Sequence, residues 1–307
     1  MILIAENIHI ISKSMREAIE KKDENFVKNL IKISQNFDAV DLNIGPAKGK
    51  LDMAFEWLCP LVENENASLG ISFDTSNTDA MKRGLAVVKN SKNCFINSTS
   101  ADDEKLEYLT DLALEYDCNL VALAMSKETG IPKTSDMRME LIFKIYEKCI
   151  EKGISPKKIF FDPLILPVCV EQSQALEVLN TVQIINQSFE DGVNTLVGLS
   201  NISNGCNSEI RLLLNRAYAV LLFGAGLKAA IIDAKDEELY RIFKMLECNN
   251  PQNEIDKLYI NLSNMVQYFG DVEDIPFNKE DPQQSNIIRA VRVLLNKEIY
   301  SDRFTQV

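Results

Sequence analysis

The sequence predicts an α/β fold, a TIM or (β/α)8 barrel with a C-terminal helical appendage, and three observations carry that expectation. Eight short apolar, β-rich runs recur along the chain, segments of helical periodicity separate them, and nearly every run ends in Asp, Asn or Glu. Runs that are apolar throughout suit strands buried on both faces, and crossover helices between such strands require a parallel sheet. A length of 307 residues fits one large barrel with an extension, since the barrel itself takes roughly 250 residues.

Taken in order, the first run is "MILIA", followed at once by Glu6. Ile19, Phe26, Leu30, Ile33 and Phe37 then mark a helical face. "AVDLN" (39–43) carries Asp41 and Asn43, "LGISFD" (69–74) closes on Asp74, and "CFIN" (94–97) closes on Asn97. Leu106, Leu109 and Tyr116 set the helical period before "LVALAM" (120–125). "IFFD" (159–162) closes on Asp162, "TLVGLS" (195–200) runs into Asn201, and "AAIID" (229–233) closes on Asp233. No G-x-G-x-x-G follows the first strand, against the preference of an open dinucleotide-binding sheet. "GAGL" (224–227) precedes a strand and so reads as a helix end. Past residue 248, "NNPQNE" opens a helix to about residue 269, and "GDVEDIPFNKEDPQQ" reads as an acidic loop broken by two prolines. The last helix carries Ile287, Ile288, Val291, Leu294 and Leu295 on one face. The expected division is a barrel over 1–248 and a helical extension over 249–307.

Composition narrows the function. Hydrophobic residues are 46% and charged residues 25% of the chain, as in globular proteins. A formal charge of −12 argues against nucleic acid, whose binding is driven by Lys and Arg. The first residues lack a basic leader and a cleavage site, and their apolar stretches are too short to span a membrane. Seven cysteines with no Cys-x-x-Cys pair fit a reducing cytoplasm. His9 is the only histidine, so a histidine-rich metal site is excluded and no metal is expected on this chain. Cys94 reads as interior to a strand, an unsuitable place for a thiolate nucleophile.

An isolated Asp or Asn after a strand is most often a helix cap or turn residue. Here Glu6, Asp41 with Asn43, Asp74, Asn97, Asp162, Asn201 and Asp233 fall at seven of the eight strand ends, where barrel enzymes place their working groups. A ring of carboxylates and amides suits a flat, nitrogen-rich ligand such as a pterin. One carboxylate opposite an amino group and a ring N–H accepts two parallel hydrogen bonds, each worth about 1.5–3 kcal/mol when charged.

Six motifs in order, "DLNIGP" (41–46), "FDTSN" (73–77), "INSTS" (96–100), "TGIPK" (129–133), "DPLILP" (162–167) and "GLSNIS" (198–203), resemble the methyltetrahydrofolate:corrinoid iron-sulfur protein methyltransferases. The likeness spans about residues 1–245 and returns in "LLNKEIYSDRF" (294–304). It implies a pterin-binding barrel, usually dimeric, that moves a methyl group between N5 of methyltetrahydrofolate and the cobalt of cobalamin on a separate corrinoid protein. Carried over by motif, Asp74, Asn97 and Asp162 would hold the pterin, and Asp41, Asn43, Gly198, Ser200 and Asn204 would shape the pocket. Asn201 would face N5.

Two departures from the family pattern stand out. Glu6-Asn7-Ile8-His9 replaces the usual Glu-Arg-Ile-Asn, and Asn204 stands where glutamine is common. The competing readings are a noncatalytic folate-binding subunit and a dihydropteroate synthase-like enzyme. The latter would need a lysine and a Ser-x-Arg-type motif for pyrophosphate release.

Overall fold

The computed structural model describes residues 1–189 and 192–305. Its centre is a closed, all-parallel barrel in which each strand pairs with its sequence neighbours and β8 closes onto β1. The strands are β1 (Ile2–His9), β2 (Ala39–Gly45), β3 (Gly70–Thr75), β4 (Phe95–Thr99), β5 (Asn119–Leu123), β6 (Ile159–Asp162), β7 (Asn194–Gly198) and β8 (Ala229–Asp233). α1 (Lys13–Lys21) and α2 (Glu24–Ile33) join β1 to β2. Single helices make the next six crossovers: α3 (Ala54–Glu65), α4 (Thr78–Val87), α5 (Asp103–Glu115), α6 (Ser135–Lys152), α7 (Ser173–Ser188) and α8 (Ser208–Gly224). After β8 come α9 (Glu237–Cys248), α10 (Glu254–Gln267) and α11 (Pro282–Leu294). Among the described residues no helix is long and apolar enough to cross a membrane.

Local chemistry fixes the helix ends. The side chains of Ser12, Asp23, Asn77, Thr134, Asn207, Asp236, Asn253 and Asp281 each accept from a backbone N–H in the first turn that follows. Each fills a donor that the helix cannot satisfy internally. Gly153 closes α6 at φ 94°, a conformation that favours glycine. Pro282, the second proline of the acidic segment, lies in the first turn of α11 just after its Asp281 cap, where a missing N–H costs no intrahelical bond.

Strand ends differ from the sequence expectation in several places: β2, β3 and β4 run on to Gly45, Thr75 and Thr99, and β5 stops at Leu123. β1 runs on to His9 through a register shift between Ala5 and Ile8, which leaves Glu6 inside the strand. β7 stops at Gly198, and Leu199–Ser203 form a 3-10 turn, so Ser200 and Asn201 belong to the turn. Cys94 lies one residue before β4, and burial pushes its thiol up to about 11. The causes are backbone hydrogen bonding and a cap, neither of which hydrophobicity reports.

Side chains alternate across each strand. One set packs outward against the helices, and the other fills the barrel. Ile4, Ala39, Phe95, Val121, Phe160, Leu196, Ala229 and Ile231 form the inner cluster, with Phe95 and Phe160 edge to face at 5.1 Å. This plug closes the N-terminal half of the bore, so a ligand can enter only from the C-terminal mouth.

The last two helices join the core that surrounds α8: Leu262, Ile287, Ile288 and Val291 pack in one cluster with Leu214, Tyr218 and Leu222. The side chain of Gln172 ties the C-terminal segment to the loop after β6. Its Nε2 donates to the Val293 and Glu298 carbonyls at 2.9 and 2.6 Å, and its Oε1 accepts from the Tyr300 N–H at 2.8 Å. α8 meets α10 at Gly224, where a Cβ would overlap the carbonyl oxygen of Ser263 and approach its Cα to 3.0 Å. Both obstacles are backbone, so Gly224→Ala is expected to cost about 1–3 kcal/mol through forced separation of the helices. A urea titration measures this, and a midpoint unchanged from wild type would contradict it.

Candidate active site

The same period of two that builds the plug builds the site. Two residues on from five of the eight plug positions the inward side chain becomes polar: Ile4 gives way to Glu6, Ala39 to Asp41, Phe95 to Asn97, Phe160 to Asp162 and Ile231 to Asp233. The strand register then sets these groups side by side. Asp41 is level with Ser72, Asn43 with Asp74, Asp74 with Asn97, and Glu6 with Asp233.

Hydrogen bonds tie four of the expected site residues into two sets, Asn43 with Asp74 and Asp41 with Asn97 through Ser72, which a bond between Asp41 and Asp74 joins. Asn43 Nδ2 donates to Asp74 Oδ2 at 2.5 Å, and Asn43 Oδ1 accepts from the Gly45 N–H at 3.2 Å. Ser72 Oγ donates to Asp41 Oδ1 at 2.6 Å. Asn97 Nδ2 donates to Ser72 Oγ at 3.3 Å and reaches Asp41 Oδ1 at 3.5 Å. Asp162 stands apart on β6, where its Oδ1 accepts from the Leu164 N–H at 2.8 Å.

These carboxyls are crowded and dry, and both conditions disfavour charge. Burial, followed by the neighbouring Asp74 charge, holds Asp41 well above the usual carboxylate range. Burial and the Glu6 charge push Asp74 up to about 6, against hydrogen bonds from Asp41 and Asn43 that favour its ionised form. Burial lifts Asp162 to about 7, opposed by the Leu164 N–H and the Arg138 guanidinium. Glu6 is also raised by burial, while the Ser200 hydroxyl, donating to its Oε2 at 2.8 Å, opposes the rise.

On the β7, β8 and β1 side the mouth opens into a cavity of about 500 Å³. Its walls include Glu6, His9, Ser200, Asn201, Asn204, Arg211, Asp233 and Lys235. Asn201 is exposed in the 3-10 turn, and its amide lies over the Cα of Gly198, where a Cβ would come within 3.1 Å of Asn201 Nδ2. Gly198 thus leaves the space that this amide occupies. The Arg211 Nε reaches Ser203 Oγ at 3.4 Å.

The expected site residues fall into two groups with Glu6 between them, and Asp162 stands apart from both. Asp41, Asn43, Asp74 and Asn97 form the network on β2 to β4, Gly198, Ser200, Asn201 and Asn204 form the rim after β7, and Asp162 occupies β6. Ser72, Arg138 and Arg211 were not anticipated. The alternation of "GISFD" could have revealed Ser72, two positions before Asp74 and on the same face. Arg138 on α6 acts on Asp162 of the next strand and Arg211 on α8 reaches back to Ser203 in the turn before it, and no local pattern marks either arginine.

Comparison with known proteins gives the family and the fold. Residues 36–233 match the family described as pterin binding enzyme. The chain is similar to a methylcorrinoid:tetrahydrofolate methyltransferase of Eubacterium limosum, with 24% identity over 242 residues that cover 78% of this chain and 87% of that protein. It is 26% identical over 179 residues to the methionine synthase of Mycobacterium tuberculosis, a match covering 55% of this chain and 15% of that much longer one. Among solved structures it resembles a dihydropteroate synthase from Coxiella burnetii in complex with pteroic acid. That likeness has a TM-score of 0.53 and 17% identity and covers 78% of this chain and 91% of that one. An identity so low speaks for a shared fold.

Proposed function

This chain belongs to the pterin binding enzyme family, and from that premise we propose that it is a methyltransferase moving a methyl group between N5 of methyltetrahydrofolate and the cobalt of a corrinoid carried by a separate protein. One observation carries the reading. A bowl of carboxylates and amides able to hold a pterin shares its mouth with the exposed amide of Asn201, which takes no part in the clamp network.

In this reading Asp74 and Asp162 accept hydrogen bonds from the pterin's amino group and ring N–H, and Asn97 supplies a further polar contact. Accepting from a ligand favours the ionised carboxylate. Asp162, lifted to about 7 in the free protein, therefore gives up its proton as the pterin seats. Asn43, Asp41, Ser72 and Gly198 shape and hold the bowl. Ser200 holds Glu6, and Asn204 extends the rim.

The chemical difficulty is the leaving group. A tertiary amine leaves poorly, so N5 has to be protonated or strongly hydrogen-bonded as its bond to the methyl carbon breaks. The Asn201 amide donates through its NH2 or accepts from N5–H through its carbonyl. Contact that tightens as charge develops lowers the barrier without tightening the ground state. The nucleophilic cobalt belongs to the partner and acts as a co-substrate. A homodimer and a cytoplasmic setting are proposed on the same family resemblance.

The test is transfer of a labelled methyl group from methyltetrahydrofolate to reduced cobalamin. Formation of methylated cobalamin by the purified chain supports the reading. Tight folate binding without transfer would point to a folate-binding subunit and reject it.

A further inference from the structure

We propose that His9 is the group that exchanges the proton with N5 of the folate during methyl transfer. This rests on the methyl-transfer reading above and assigns it a proton carrier. Three observations converge on His9. Its Nδ1 is buried and has no hydrogen-bond partner among the described residues. Such an atom loses its solvation and regains nothing unless water or a ligand pairs with it. The rest of this half-buried ring lines the mouth cavity together with Asn201, on the side where N5 of a bound folate would lie. It is also the only histidine in the chain, and imidazole is the side chain suited to exchange protons near neutral pH.

The charged groups facing His9 across that cavity come from three elements. Glu6 lies on its own strand, Asp233 at the end of β8, Arg211 on α8 and Lys235 just after β8.

Each atom is accounted for. In the direction from folate to corrinoid, the imidazolium N–H passes its proton to N5. The N5–CH3 bond breaks with its electron pair left on N5, and the electron pair of the partner's cobalt(I) forms the new bond to carbon. N5 becomes a neutral secondary amine, and the imidazole takes a fresh proton from solvent. In reverse, the N5 lone pair attacks the methyl carbon, the cobalt–carbon bond breaks with its electron pair returned to the partner's cobalt(I), and the neutral imidazole removes the N5 proton. Asn201 orients N5 throughout, because an amide hydrogen-bonds but does not ionise near neutral pH.

The experiment compares wild type with His9→Asn and His9→Gln. Asn restores the residue usual in the resembling family, so at least one variant is expected to fold. Single-turnover transfer from methyltetrahydrofolate to free cob(I)alamin is followed between pH 5.5 and 8.5. The wild-type rate is expected to fall about tenfold per pH unit on its alkaline limb, and both variants to lose that limb and run at least about tenfold slower at pH 6. Folate affinity is expected to stay within about threefold, as befits a group that acts on the leaving atom. Because the chain has one histidine, 15N spectra of the imidazole report on it alone, and its titration should shift when methyltetrahydrofolate binds. An unchanged pH profile in variants that still transfer, or an imidazole titration indifferent to bound folate, overturns the role of His9 and leaves the functional reading intact. Folate binding without any transfer by wild type overturns both.

Discussion

Asn201→Ala is expected to slow methyl transfer by about 10²–10³ while leaving folate affinity within about threefold. The geometry separates the two quantities. The groups that would hold the pterin form a network on β2 to β4 with Asp162 on β6, and Asn201 makes none of those bonds. Its amide is exposed on the rim, so truncation should change folding stability by no more than about 0.5 kcal/mol. A loss confined to the bond-breaking step appears in single-turnover rates and is absent from equilibrium titration. Equal losses in affinity and rate would instead assign this amide to ground-state binding.

Asp162→Asn should have two large effects of opposite sign. Burial lifts this carboxyl from an ordinary value near 3.8 to about 7. A carboxylate so raised leaves stability intact below about pH 4, and that stability is lost as pH climbs toward 7 and the buried group is forced to ionise. At about 1.4 kcal/mol per pH unit the penalty at pH 8 is on the order of 4 kcal/mol. The neutral amide escapes it. Free Asp162→Asn should therefore melt above wild type at pH 8 and close to it at pH 4.5. Folate affinity should fall by about 10²–10⁴, since two charge-assisted bonds of about 1.5–3 kcal/mol each are weakened together. Denaturant titrations at the two pH values and a binding isotherm at pH 7.5 check this. A variant that is destabilised at pH 8, or that binds folate normally, would remove Asp162 from the clamp.

The opposition has a general cause. A site that keeps carboxylates dry until a ligand supplies donors stores unfavourable electrostatics in the free protein. Asp41, Asp74 and Glu6 are all raised by the same burial. Folate should therefore stabilise this protein more at pH 8 than at pH 5.5, because binding relieves a cost that exists only when the carboxyls are ionised.

How far the sequence reaches differs from residue to residue. All eight strands were legible because barrel strands are buried on both faces and must be apolar at nearly every position. The polar residue closing a run was legible too, since water and ligand reach the bore only at its C-terminal end. Ser72 sits within such a run and escaped notice, although its spacing from Asp74 places it on the inner face. The 3-10 turn after Gly198 escaped as well, because its hydrogen bonds leave no mark on hydrophobicity.

What the sequence determined by itself is the alternation of apolar runs with amphipathic segments and the chemistry waiting at the run ends. Those are local properties, fixed by spacing along the chain. The tertiary structure alone decided which carboxyls lose their charge, that Arg138 lies near enough to Asp162 to hold its pKa down, and that His9 and Asn201, 192 positions apart, share one cavity. Closure of the barrel brings these groups together and dries them, and burial and charge proximity depend on distance in space, which spacing along a strand does not encode.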